Sequence, residues 1–321
     1  MASPIVAPPT LTLHFRTLTP LYTGGVGQWG DQLHPSGLLG SIRHFSCAVA
    51  RALGDGTFEP ACWGLSGDSD YMPQAKGVSL RWDPSGLKPV SLPEKLFIRE
   101  GDHISKWFFN QAFAGHLTLH LTRMNLSDFH WRILRAAIAI QSRHAMFGAK
   151  DQFGLGALVL ENPEALAPET FVESDIQGSA LRGRWTELPL TRYAFTKVRV
   201  QGPLATWQER LEAGLRLRAR MRQALRQPGD GLNSATLTDL RHRMLGKLNR
   251  WGSAVDISAA YAVSPAWEVR IAVALRPDDK RHRQVIMKRF TEALGCRVSD
   301  WIFGPGFGNK RHALINQLAG W

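Results

Sequence analysis

Two glycine-bearing stretches in the first half of the chain have the composition of phosphate cradles. Thr23-Gly24-Gly25 precedes Pro35-Ser36-Gly37, where a helix opens. Free backbone N–H groups at such an opening, together with the positive end of the helix dipole, suit an anion or a chain reversal. Phe147-Gly-Ala-Lys-Asp-Gln-Phe-Gly-Leu-Gly156 sets Gly148, Gly154 and Gly156 around Lys150. A backbone can then approach closely beside a positive charge, although tight turns between packed elements use the same residues. Arg43 follows apolar Ile42 and reaches either phosphate or Asp31. His44 is the candidate acid or base for cleaving a phosphodiester, and Asp31 the candidate for metal-assisted cleavage. Neither has a companion at catalytic spacing, and a loop Asp is a natural turn former. The expectation is a non-enzyme with no catalytic residue, metal or cofactor. Trp29 and Trp107 lie in polar contexts where a ring can stack a base.

These residues need elements to hold them. Leu11, Leu13 and Phe15 alternate with polar neighbours, the period of a half-buried strand. Leu38, Ile42, Phe45, Val49 and Leu53 follow at helical spacing, with Pro35-Ser36 as the N-cap and Gly54 and Gly56 as the stop. Residues 57–105 read as loops and small strands. His116 to Arg123 is a strand, Asp128 caps a helix running to Ala145, and Ala157 to Leu160 is a strand. The segment from Asn162 to Glu173 reads as a linker. The order then repeats. A strand from Tyr193 to Val200 precedes a helix from Pro203 to Gln227 and another near Leu237 to Leu248. Strands Val255 to Ala260 and Trp267 to Leu275 and a helix from Arg281 to Leu294 complete it. Strand–helix–strand repeated is the split βαβ pattern. The expected fold is α+β, tandem ferredoxin-like (RRM-like) domains over 1–165 and 166–321.

Charge divides the same way. The chain has 39 Lys+Arg against 27 Asp+Glu, a net +12. Residues 1–165 hold 14 basic and 13 acidic side chains, and residues 166–321 hold 25 and 14. That asymmetry suits a polyanion partner, because each neutralised phosphate releases counterions. Glu209 and Glu212 lie toward the positive end of the Pro203 helix and Arg216, Arg218, Arg220, Arg222 and Arg226 toward its negative end, which also fits a solvated, dipole-matched face. No apolar run approaches the roughly 18 residues that span a bilayer, and the first ten residues are not a secretory leader. Cys47, Cys62 and Cys296 have neither CxxC nor zinc-ligand spacing. A cytoplasmic chain without membrane association is expected.

Three segments in order carry a resemblance. They are Leu18-Thr-Pro-Leu-Tyr-Thr-Gly-Gly25 with Pro35-Ser-Gly-Leu-Leu-Gly-Ser-Ile-Arg43, then Phe147 to Gly156, then Gly252-Ser-Ala-Val-Asp-Ile-Ser258 with Trp267-Glu-Val-Arg-Ile271. Together they resemble the RAMP superfamily of CRISPR ribonucleoproteins, and within it the capping subunit of the type III-B (Cmr) effector complex. The resemblance implies a double ferredoxin-like subunit that assembles with other RAMP subunits. It would hold guide RNA near its 3′ end and help dock complementary target RNA in antiviral defence. The motif segments point to RNA contacts at Thr23, Gly24, Gly25, Ser36, Gly37, Ser41, Arg43, Lys150, Gln152, Phe153 and Arg270, to which the loop context adds Trp29 and the cationic helix adds Arg216 and Arg220. Leu39 stands where the family often has Lys, and His44-Phe45 where it has paired aromatics. The alternative is a guide-RNA-processing RAMP endoribonuclease using His44, and a third reading is a stand-alone basic RNA- or protein-binding chain.

Overall fold

In the computed structural model the alternating Leu11, Leu13 and Phe15 face inward from β1 (Thr10–Thr17). The description covers residues 8–24, 32–65, 73–93, 95–100, 103–108, 111–149, 151–176, 188–247, 252–303 and 310–321. Next come α1 (Pro35–Ala52), α2 (Phe58–Trp63), β2 (Val78–Asp83), β3 (Leu87–Ser91), β4 (Lys95–Glu100), β5 (His103–Phe108), β6 (Gln111–Arg123), α3 (Asp128–His144) and β7 (Leu158–Leu160). The first antiparallel sheet has the order β2-β6-β1-β7, with β3 also on β6. On its outer face Thr10 meets Thr122, and Thr12 meets His120, as polar cross-strand pairs.

The second part contains β8 (Tyr193–Val200), α4 (Trp207–Ala224), α5 (Ser234–Leu245), β9 (Val255–Ile257), β10 (Tyr261–Val263), β11 (Ala266–Ala274), α6 (Lys280–Leu294), β12 (Ile302–Phe303) and α7 (Arg311–Ala319). Its antiparallel sheet runs β10-β11-β8-β12, with β9 also on β11. The molecule is α+β, and both strand orders are compatible with a ferredoxin-like fold.

Several expected boundaries move, each for a local reason. His34, not Ser36, is the N-cap of α1, because Pro35 with its fixed φ takes the first helical position. Ser127 caps α3 by accepting the His130 N–H, which leaves Asp128 inside the first turn. The fourth helix starts at Trp207, since Thr206 and Glu209 form a reciprocal capping box. Residues 57–105 hold the expected small strands, two of them paired as the β4–β5 hairpin, and in addition the short helix α2, which was not expected. The expected linker is packed: Leu166 and Phe171 are buried, and Phe171 stacks on Trp321.

That packing carries the C-terminus back to the first half. Ile315 and Leu318 of α7 join the first core, as do Tyr193 and Phe195 of β8. The second core lies between the second sheet and α4, α5 and α6, around Met221, Leu240, Ile271 and Phe290. A third cluster joins the two parts. In it Tyr22, Leu96, Ile98 and Leu155 from the first half meet Leu211, Leu215 and Ala259 from the second. Among the described residues no helix is long and apolar enough to cross a membrane.

Candidate nucleic-acid interface

The loop after β1, the opening of α1 and the glycine segment after α3 converge. The Thr23 hydroxyl accepts the His34 N–H at 2.7 Å, which fixes the loop against the helix start. Gly37 lies so near Thr23 that a Cβ there would overlap the Thr23 carbonyl oxygen. The Ser41 hydroxyl donates to the Leu38 carbonyl and accepts the Gly148 N–H at 3.0 Å. The Ala149 N–H donates to the Tyr22 carbonyl at 2.7 Å. Gly156, at φ +84°, receives Phe147, whose N–H donates to its carbonyl at 2.8 Å. The two motif glycine stretches thus form one joint.

At the surface of this joint the first turn of α1 has no acidic residue and no side-chain cap, and Ser36 is exposed. An uncapped helix start of this kind offers N–H groups and a partial positive charge to an anion. Gly25, Trp29 and Asp31 lie outside the described residues, as does Lys150, whose neighbours Ala149 and Asp151 flank the joint. The side chain of Trp107 also lies outside them. Gln152 and Phe153 are half-buried in a short turn facing the second half. Thr23 is 4% exposed, so its place is within the joint.

Arg43 pairs with Glu59 of α2, its Nη2 2.8 Å from Oε1, while the other carboxylate expected for it, Asp31, lies outside the described residues. Arg270 departs furthest from expectation. It is 4% exposed, and its Nη1 donates to the carbonyls of Ser142 and Leu158 at 2.7 and 2.9 Å. The guanidinium therefore ties the end of α3 and the start of β7 to β11, rather than facing a ligand. Arg218 and Arg289 are likewise buried and donate to main-chain carbonyls. A planar guanidinium with five donors suits such sites. Part of the positive charge in the second half is therefore internal. Arg216 and Arg220 are exposed on α4, with Arg216 3.2 Å from Glu212 one turn earlier.

The glycine segment is anchored to the second half. Gly154 bridges Ser258 in parallel, and its carbonyl accepts the Ala259 N–H at 2.7 Å. Burial pushes the Asp256 carboxyl well above the usual carboxylate range, and neighbouring Asp151 pushes it further while Arg218 opposes. Burial also raises Asp151 and lowers Arg218 to about 10. His44 is exposed, with Nε2 3.0 Å from the Tyr193 hydroxyl. This partner was not legible from the sequence, since 149 residues separate the two. Among the described residues no group of three or more His, Cys, Asp or Glu could hold a metal.

No protein-family model and no curated protein matches the chain. Among solved structures it is similar to Cmr1 from Pyrococcus furiosus in its apo form, with TM-score 0.44 and 14% identity over 89% of this chain and 97% of that one. It is similar also to a chain of the type III-B Cmr-beta complex bound to cognate target RNA and AMPPnP in the presence of ssDNA, with TM-score 0.47 and 9% identity over 89% and 100%. A third similarity is to a chain of type III-B Cmr-beta bound to cognate target RNA, with TM-score 0.45 and 9% identity over 89% and 100%.

Proposed function

We propose that the chain is a non-catalytic RNA-binding and assembly subunit of a type III-B CRISPR ribonucleoprotein. It is built as two RRM-like, ferredoxin-like units in tandem, residues 1–165 and 166–321. It works in the cytoplasm, capping the complex near the 3′ end of the guide RNA, beside other RAMP subunits, and helping to dock target RNA in antiviral defence. The tandem reading is supported by the sheet orders β7-β1-β6-β2 and β12-β8-β11-β10, in which a helix follows each inner strand: α1 after β1 and α3 after β6, α4 after β8 and α6 after β11. The observation that carries the RNA reading is the convergence of the Thr23 loop, the uncapped start of α1 and the glycine segment at one joint. These are the motif segments that resemble the RAMP superfamily, and the positive helix end there suits a phosphate.

The test separates RNA affinity from folding. Ser36→Glu places a negative charge in the first turn of α1, where the dipole favours it, yet repels a phosphate. The expected result is unchanged or higher thermal stability with weaker retention of guide RNA, and Lys150→Ala weakens retention also. Equal retention by both variants counts against the reading. The endoribonuclease alternative keeps one observation in its favour, the His44–Tyr193 hydrogen bond. Metal-independent cleavage of repeat RNA by the purified chain, lost in His44→Ala, would select it.

A further inference from the structure

We propose that the free edge of β8 is a docking site for an extended acidic segment of a protein partner, which adds to the second sheet as one more strand. β12 pairs only with Phe195 and Ala194, whereas β8 continues to Val200. Among the described residues no strand covers the β8 edge from Lys197 to Val200. An open edge is a row of unmatched N–H and C=O groups, the feature that β-strand addition uses for affinity.

Space and charge lie along that edge. A cleft of about 700 Å³ runs beside it between β8 and the end of α6, lined in part by Lys197, Arg199, Cys296 and Arg297. A second cleft of about 510 Å³ continues it toward the start of α4 and shares Val198, Arg199 and Leu294 with the first. Lys197 and Arg199 are both exposed, two residues apart and so on one face of the strand. Neither is in an ion pair among the described residues. Glu268 stands opposite Arg199 on β11, and Arg270 opposite Lys197. Although the Lys197 side chain reaches solvent, partial desolvation of its ammonium, followed by nearby Arg270, lowers its pKa, and Arg143 adds to the effect while Glu268 opposes it. His144, beside it, is held neutral down to about 4, first by burial and then by Lys197. The same clefts also hold Asp300, paired with Arg297, and Glu209 and Glu212, the latter paired with Arg216, so the cations outside ion pairs that an anion would meet along the strand are Lys197 and Arg199.

The same edge argues for a peptide over a nucleic acid. Of the two rings lining these clefts, Phe195 is 1% exposed and His144 is half-buried, packed 5.6 Å from Phe195 with its Nε2 on the Leu318 carbonyl, so neither stands out as an exposed stacking platform for a base. A strand laid along β8 places alternate side chains on opposite faces. Asp or Glu would then meet Lys197 and Arg199, and the residues between would meet the apolar side of Val198 and Val200. This assignment does not depend on the RNA reading above.

The probe is a fluorescein-labelled heptapeptide of alternating Val and Glu, titrated against the full chain by anisotropy. The expected result is saturable binding, weakened about tenfold or more by Lys197→Glu with Arg199→Glu, and kept by Lys197→Arg with Arg199→Lys. N-methylation of alternate peptide amides keeps the charge and should abolish binding, while amides of residues 197–200 exchange more slowly in the bound form. Both substituted positions are exposed, and circular dichroism checks that the variants fold. Absence of binding, or equal binding by the N-methylated peptide, overturns the proposal. So does binding of decauridylate in place of the peptide with the same sensitivity to Lys197→Glu and Arg199→Glu. Self-association of a Lys197→Ser, Arg199→Ser chain whose parent binds no peptide would also overturn it, marking the two cations as guards of the edge.

Discussion

The glycine joint of the first half and the arginines of the second were both conspicuous as sequence, but the tertiary structure uses them differently. At the joint, residue type and place agree: Gly37 and Gly156 sit where main chains cross. In the second half, one residue type serves two ends. Arg218, Arg270 and Arg289 are buried among carbonyls, whereas Arg216 and Arg220 on the same or adjoining elements are exposed. A glycine requirement is imposed by sterics within a few ångströms and leaves few substitutes. A guanidinium satisfies carbonyls, carboxylates and phosphates alike, so its type alone does not identify its partner.

The contrast is most exposed to disproof at Gly156. Its positive φ and the overlap of any Cβ with the Phe147 carbonyl predict that Gly156→Val costs about 3 kcal/mol or more. Urea denaturation that gives a loss below about 1 kcal/mol would show that the joint yields. Gly40, in the same helix as Gly37 but with nothing within 4 Å of a Cβ, is the control. Gly40→Ala should raise stability by about 0.5–1 kcal/mol, because only helix propensity changes.

His144 supplies the pH counterpart. Burial, and then Lys197, hold its pKa at about 4, below the usual 6.5, while its Nε2 lies 3.1 Å from the Leu318 carbonyl. The unfolded chain therefore binds more protons between pH 6.5 and 4, so stability falls as pH drops through that window. The loss amounts to about 3 kcal/mol at most. Urea midpoints at pH 7, 5.5 and 4 should show it, and His144→Gln should flatten the profile.

For the arginines, Arg270→Met leaves the carbonyls of Ser142 and Leu158 without their donor and should cost about 2–4 kcal/mol. Arg216→Ala with Arg220→Ala should change stability by no more than about 0.5 kcal/mol. The same pair should flatten the dependence of log RNA affinity on log salt by about 1.4–1.8 units if both side chains on α4 meet phosphates. A stability loss in the exposed pair as large as in Arg270→Met would erase the distinction between buried and exposed arginines.

The sequence carried what short-range physics controls. Alternation in Leu11-Thr-Leu-His-Phe15 and in Tyr193 to Val200 gave strands, because period two places apolar residues on one face. The spacing of Leu38, Ile42, Phe45 and Val49 gave α1, and the repeated order of elements gave the α+β class. The motif glycines marked the joint, since close main-chain approach leaves a compositional trace. Short β12, the C-terminal α7 and the β4–β5 hairpin left too weak a period to read. Only the tertiary structure decided that α7 returns to the first core, that Tyr193 meets His44, and that Arg270 faces carbonyls. Each of those contacts joins residues more than a hundred positions apart, and local propensity holds no information about which distant group will fill a buried site.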